Sequence, residues 1–265
     1  MRKLISYIFL LSVLISLVYI TKEVISFSKN IISLKEYQTD AIIKQEKMLH
    51  PTVRVISMEQ THDSSASADS GDVEVEIILA TATGFSIQYD AINDVSFVIT
   101  NDHFCNSIIP SSSLVVEDYN KNSLNISENY ISSKILYTDE GLDLCLLAAY
   151  GFIKPAIIAD VDYTPELFEK VFVIGGPTGN FPIIIDTYIS GSSDRRSITV
   201  GNLDASGNDF LLISEQIFPG HSGSPVFNQD GEVVGVIFAA LETYGGLAIS
   251  HRDIFMLLFY YQNSL

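Results

Sequence analysis

Gly220-His221-Ser222-Gly223-Ser224-Pro225-Val226-Phe227 is followed, six residues on, by the apolar run Val233-Val234-Gly235-Val236-Ile237. A serine beside glycine in a tight turn presents an exposed hydroxyl, and the neighbouring backbone N–H groups are free to face a substrate oxygen. These are the requirements of an acyl-transfer nucleophile beside an oxyanion hole. A plain Gly/Ser/Pro turn between two strands is the alternative. The rest of the chain decides between them by supplying, or not supplying, a base and an orienting acid.

Five histidines are present, at 50, 62, 103, 221 and 251. His103 ends the stretch Phe97-Val98-Ile99-Thr100-Asn101-Asp102-His103, so it leaves an apolar strand and sits where a base can be held rigidly. Asp143 opens a second apolar strand in Gly141-Leu142-Asp143-Leu144-Cys145-Leu146-Leu147. A carboxylate at such a place becomes buried and needs a partner, which an imidazole N–H can be. Asp139 is the rival acid, but it lies in a more polar turn.

Short Val/Ile-rich runs broken by Gly, Asn, Asp and Ser recur along the chain and argue for an all-β body. Strands are expected at 52–58, 74–87, 95–99, 113–117, 134–137 and 144–148, then at 171–174, 183–189, 210–213, 224–227, 233–238 and 247–249. The acidic, Ser-rich stretch from Thr61 to Asp72 reads as an exposed loop. Residues 252–261 are apolar on one side and read as a closing helix.

With 265 residues, 47% of them apolar, the chain can bury one sizeable core or two. Seven of its fifteen Lys/Arg but only four of its thirty-two Asp/Glu lie in residues 1–50, so residues 51–265 carry a formal charge of −20. Such a surface repels phosphate backbones and argues against nucleic-acid binding. Cys105 and Cys145 are the only cysteines; they form no disulfide framework and read most simply as buried thiols. The scattered histidines and cysteines lack metal-ligand spacing, so neither a metal nor another cofactor is expected. The Asn125-Ile126-Ser127 sequon carries little without a known compartment.

Arg2 and Lys3 precede the uncharged run Leu4 to Ile20, which lacks a small-x-small cleavage site after it. An uncleaved membrane anchor over residues 1–21 is the better reading, with a removed signal peptide as the alternative. The slight bias of positive charge favours the N-terminus inside and the large domain outside the cytoplasm. Apolar residues at helical spacing between 22 and 50 suit a stalk helix through which copies of the chain can associate.

The order His, Asp, Ser resembles that of the chymotrypsin-fold serine peptidases, most closely the high-temperature-requirement (HtrA) type and the glutamyl endopeptidases. Further marks are Thr83-Gly84-Phe85-Ser86-Ile87 before the histidine, Thr100 three residues ahead of it, and the Asp143-Leu144 pair. The turn Ile174-Gly175-Gly176-Pro177-Thr178-Gly179 and the strand Gly246-Leu247-Ala248-Ile249 complete the resemblance over residues 52–262.

The resemblance implies two six-stranded antiparallel barrels, at about 51–160 and 161–250, closed by a C-terminal helix at 251–262. It implies hydrolysis of polypeptides through an acyl-enzyme, with Ser222 as nucleophile, His103 as base and Asp143 as the acid orienting it. The N–H groups of Gly220 and Ser222 would form the oxyanion hole. The substrate pocket would take its base from Gln216 and Ile217 and its walls from Phe238, Ala239, Ala240 and the stretch Tyr244 to Gly246. With no carboxylate at the base, and Ile237 where glutamyl endopeptidases place a histidine, the pocket is expected to accept small or medium aliphatic side chains.

Two features depart from the pattern. His221 occupies the site where the zymogen-activated branch has an aspartate, so activation by a newly cut N-terminus is not expected, and the imidazole is placed to perturb the turn or tune it with pH. About sixteen residues follow Ile249, too few for the PDZ module of many HtrA-type proteins. The competing function is a protease-fold binding or scaffolding protein without turnover. An α/β-hydrolase is excluded by the order of the three residues.

Overall fold

The computed structural model describes residues 44–63, 73–119, 129–193, 199–200, 203–204, 210–241 and 245–265, with scattered positions between 21 and 42. The run Leu4–Ile20, residues 64–72, the 125–127 sequon and Tyr244 lie outside the described residues. The chain divides into two compact units, Met1–Lys44 and Gln45–Leu265. In the first, the described positions, among them Lys22, Ile25, Lys29 and Ile42, are helical and exposed. Among the described residues no helix is long and apolar enough to cross a membrane.

The second unit opens on a π-helical turn ending at Leu49 and continues as β1 (Thr52–Asp63), β2 (Val73–Asp90) and β3 (Val95–Thr100). A short helix α1 (Asp102–Asn106) precedes β4 (Ser113–Glu117), β5 (Tyr130–Asp139), β6 (Leu144–Tyr150) and β7 (Ile157–Ile158). Then come β8 (Lys170–Gly175), β9 (Ile183–Ser193), β10 (Thr199–Val200), β11 (Leu203–Asp204) and β12 (Phe210–Ile213). The chain ends with β13 (Pro225–Phe227), β14 (Glu232–Leu241), β15 (Gly245–Ser250) and α2 (His251–Ser264).

Strands β1-β2-β3-β6-β5-β4 close into one antiparallel barrel. A second ring runs β13-β8-β9-β12-β15-β14 and closes through the β13–β14 pairing; β7 adds to β14 in parallel, and β10 and β11 form a separate ribbon. Closure removes the sheet edges that would otherwise invite pairing with other chains. Each barrel has its own core: Val53, Val55, Val98, Val116 and Leu147 in the first, Val171, Val173, Ile213, Val234 and Ala248 in the second. Fully buried Phe85, Phe210 and Phe227 each contribute about 2–3 kcal/mol of burial free energy.

The all-β expectation and the expected strands are met closely, with β5 longer than its apolar stretch suggested. Three differences have simple causes. Thr61–Asp63 continue β1 because they pair with Val73–Val75 of β2, a partner that local composition does not reveal. Helix α1 was not expected; five residues are too few for an apolar period to appear. Cys105 and Cys145 are not free thiols but are joined in a disulfide, because α1 turns Cys105 back into the first core against the start of β6. At the C-terminus the Ser250 side chain caps α2 by accepting from the Arg252 N–H, and the helix lies against β6, β14 and β15.

Candidate active site

Three segments meet between the barrels. His103 lies in the first turn of α1, just beyond β3; Asp143 immediately precedes β6; Ser222 lies in the turn before β13. β3 and β6 are adjacent, with Thr100 opposite Cys145, so the histidine and the aspartate emerge side by side. Asp143 adopts φ +49°, an uncommon conformation for a non-glycine residue. The Asn101 amide donates to the Asp143 carbonyl at 2.9 Å and holds that backbone.

The Asp143 carboxylate is nearly buried and accepts from two donors, both of His103. The His103 backbone N–H donates to Oδ1 at 2.9 Å, and His103 Nδ1 lies 3.0 Å from Oδ1 and 2.9 Å from Oδ2. On the other side of the ring, His103 Nε2 is 3.1 Å from Ser222 Oγ. The carboxylate thus favours a proton on Nδ1, which leaves the Nε2 lone pair facing the serine hydroxyl. Asp139 is not part of this line; its Oδ1 accepts from the Leu142 N–H.

Gly220 and Gly223 have φ +98° and +80°, and a Cβ at either would collide with backbone, at Gly176 O or at Thr83 O. Glycine is therefore required on both sides of Ser222. Among the described residues, no backbone carbonyl accepts the Gly220 or Ser222 N–H. His221 is fully buried, with Nδ1 3.1 Å from the Phe218 carbonyl oxygen and 3.3 Å from its nitrogen. Burial holds its pKa below the ordinary histidine value, partly opposed by the Phe218 backbone bond.

Asp102, beside His103, is buried and accepts from Asn106 Nδ2 at 2.6 Å. Burial first, then the negative charges of Asp143 and Glu140, push its pKa up to about 6.

Next to Ser222 opens a cavity of about 260 Å³ lined by Ile217, Phe218, Pro219, Ile237, Phe238, Ala239 and Ala240. Phe218 and Pro219 were not anticipated; their position directly before Gly220 is the only sequence signal for them. Gln216 is exposed and lies outside this lining. Gly246 stands behind it, where a Cβ would collide with the Ile217 side chain. Among the described residues no cluster of His, Cys, Asp and Glu is arranged to hold a metal ion.

Two closed six-stranded barrels with this seam define the chymotrypsin-like class of folds. Within it, the chain belongs to the trypsin-like peptidase domain family, whose model matches residues 82–236. Among its relatives is a probable periplasmic serine endoprotease DegP-like of Pseudomonas putida, 29% identical over 173 residues, or 62% of this chain and 30% of the relative. Another is the serine protease Do-like HtrB of Bacillus subtilis, 27% identical over 78% of this chain and 44% of the relative. The chain thus spans less than half the length of these relatives. The fold is shared with the Rv3671c protease from M. tuberculosis in its active form (TM-score 0.59, 19% identity, 80% of this chain and 81% of that one). It is also shared with the serine endoprotease from Yersinia pestis (TM-score 0.57, 18% identity, 84% and 66%).

Proposed function

We propose that residues 51–265 are a serine endopeptidase domain, anchored to a membrane by residues 1–21 through a helical stalk over 22–50, on which copies of the chain associate. The observation that carries the reading is the hydrogen-bonded line from Asp143 through His103 to Ser222. In the reaction Ser222 Oγ attacks the substrate carbonyl carbon while its proton passes to His103 Nε2. The oxyanion accepts from the Gly220 and Ser222 N–H groups. The tetrahedral intermediate then expels the amine, which takes the proton back from Nε2 as the C–N bond breaks. Water repeats the sequence on the acyl-enzyme, giving its proton to His103, and Ser222 regains a proton as the acid leaves.

The apolar cavity beside Ser222 suits small and medium aliphatic side chains on the acyl side of the cleaved bond. An extracytoplasmic position is supported by the Cys105–Cys145 disulfide, which persists in oxidising compartments, and by the word periplasmic in the name of the Pseudomonas relative. The test is covalent labelling with a fluorophosphonate followed by cleavage profiling on a peptide library. Modification at Ser222, lost in Ser222→Ala together with about 10⁶-fold in kcat, is the expected result. A folded wild-type domain that takes no label overturns the reading.

A further inference from the structure

Thr83 lies in β2, on the first barrel, yet its bonds reach the nucleophile turn and the β8–β9 connection of the second. Its backbone N–H donates to the Ser222 carbonyl at 2.8 Å. Its hydroxyl donates to the Gly220 carbonyl at 2.8 Å and accepts from the Gly176 N–H at 3.0 Å. Its own carbonyl accepts from Thr100 Oγ1 at 2.7 Å, three residues before His103. The residue is fully buried. One side chain and its peptide groups therefore touch the backbone of both oxyanion residues and the strand that delivers the histidine.

We propose that Thr83 is a positioning residue for the reaction, setting through its hydroxyl the orientation of the turn that carries the oxyanion donors. The inference rests on the peptidase reading above. The physical reason is that Gly220 has φ +98° and no side chain to restrain it, so nothing of its own keeps the peptide groups on either side from rotating. A hydrogen bond to its carbonyl supplies that restraint. Because the Thr83 hydroxyl gives its one proton to Gly220, it must accept from Gly176, and that bond in turn ties down the β8–β9 connection, whose Thr178 N–H donates to the Pro219 carbonyl at 2.8 Å. The loop holding Gly220 is thus gripped from two sides, and both grips pass through or beside one hydroxyl. Oxyanion donors stabilise a transition state only when preorganised, so loosening them slows the chemistry without emptying the apolar pocket.

The test compares fluorophosphonate labelling rates of the full chain as wild type, Thr83→Val and Thr83→Ser. Valine keeps the shape and removes the hydroxyl; labelling of Ser222 is expected to fall at least tenfold, with serine restoring it to within threefold of wild type. Urea unfolding measured in parallel separates this from lost stability, since rates are compared where each variant is fully folded. Should Thr83→Val not fold, Thr83→Ala against Thr83→Ser isolates the same hydroxyl, and the same tenfold gap is expected. Equal rates within the pair that folds overturn the positioning role while leaving the peptidase reading intact. A wild type that does not label at all overturns the peptidase reading instead.

Discussion

Cys105 stands two residues beyond His103 and Cys145 two beyond Asp143, and the disulfide between them closes a small ring around the His103–Asp143 hydrogen bonds. The same two segments are thereby joined twice, once covalently inside the first core and once through the carboxylate at its rim. The covalent link limits how far α1 can move from the start of β6, and so how far the imidazole can drift from its acid.

Removing that link costs stability first. The disulfide spans a separation of 40 residues, for which the loss of loop-closure restraint in the unfolded chain corresponds to about 4 kcal/mol. The double variant Cys105→Ala/Cys145→Ala is expected to unfold at correspondingly lower urea, and reductant is expected to shift the wild type but not the variant. A fully reduced wild type with an unchanged midpoint contradicts this.

Asp143→Asn tests the proton arrangement. Oδ1 accepts from the His103 backbone N–H as well as from the ring, whereas Oδ2 meets only the ring. The asparagine oxygen will take the place facing the backbone N–H, leaving its NH₂ against Nδ1. That makes Nδ1 an acceptor and moves the ring proton to Nε2, where it cannot receive the serine proton. The expected fall in kcat is about 10⁴-fold with the fold retained, measured by turnover and thermal unfolding.

Asp102→Asn tests a pH term in stability. The native pKa of about 6 lies above the unfolded value near 4, so the native state holds the proton more tightly. The associated stability is fully present below about pH 4 and is lost as pH rises through about 6. At pH 7 the asparagine variant is expected to be more stable than wild type by about 2 kcal/mol, and at pH 4 equal to it. Urea midpoints at the two pH values check this; an equal difference at both contradicts it.

His221 acts in the opposite direction. Burial lowers its native pKa beneath the unfolded value of about 6.5, so on acidification the unfolded chain takes the proton first. Stability from this group is present above about pH 6.5 and declines as pH falls below it. In His221→Asn, whose amide can still meet the Phe218 backbone, that decline is expected to disappear. The lost ring packing leaves the variant about 1–2 kcal/mol less stable at neutral pH. A stability-against-pH series of both proteins measures the two effects separately.

Much of this molecule is legible in the chain because it is local. The short apolar run of β3 and the near-continuous one of β6 mark strands that face a core. The left-handed turn around Ser222 demands glycines, and they stand at 220 and 223. What was not legible is local structure whose cause is distant. Thr61–Asp63 are polar and read as loop, yet pair with β2. Gln216 has a plausible position for a pocket base, but the turn exposes it and brings Phe218 and Pro219 to the cavity instead.

The Gly/Ser turn at Ser222, the strand-end histidine and the strand-opening aspartate are properties of short segments, and the sequence by itself determined their order and chemical types. Their meeting was decided by tertiary structure, because Asp143 lies 40 residues and Ser222 119 residues from His103, and only barrel closure brings such segments to hydrogen-bonding distance. The pairing of Cys105 with Cys145 and the reach of Thr83 across the barrels belong to that second kind. A thiol or a hydroxyl carries no record in its own neighbourhood of the partner that folding will bring to it.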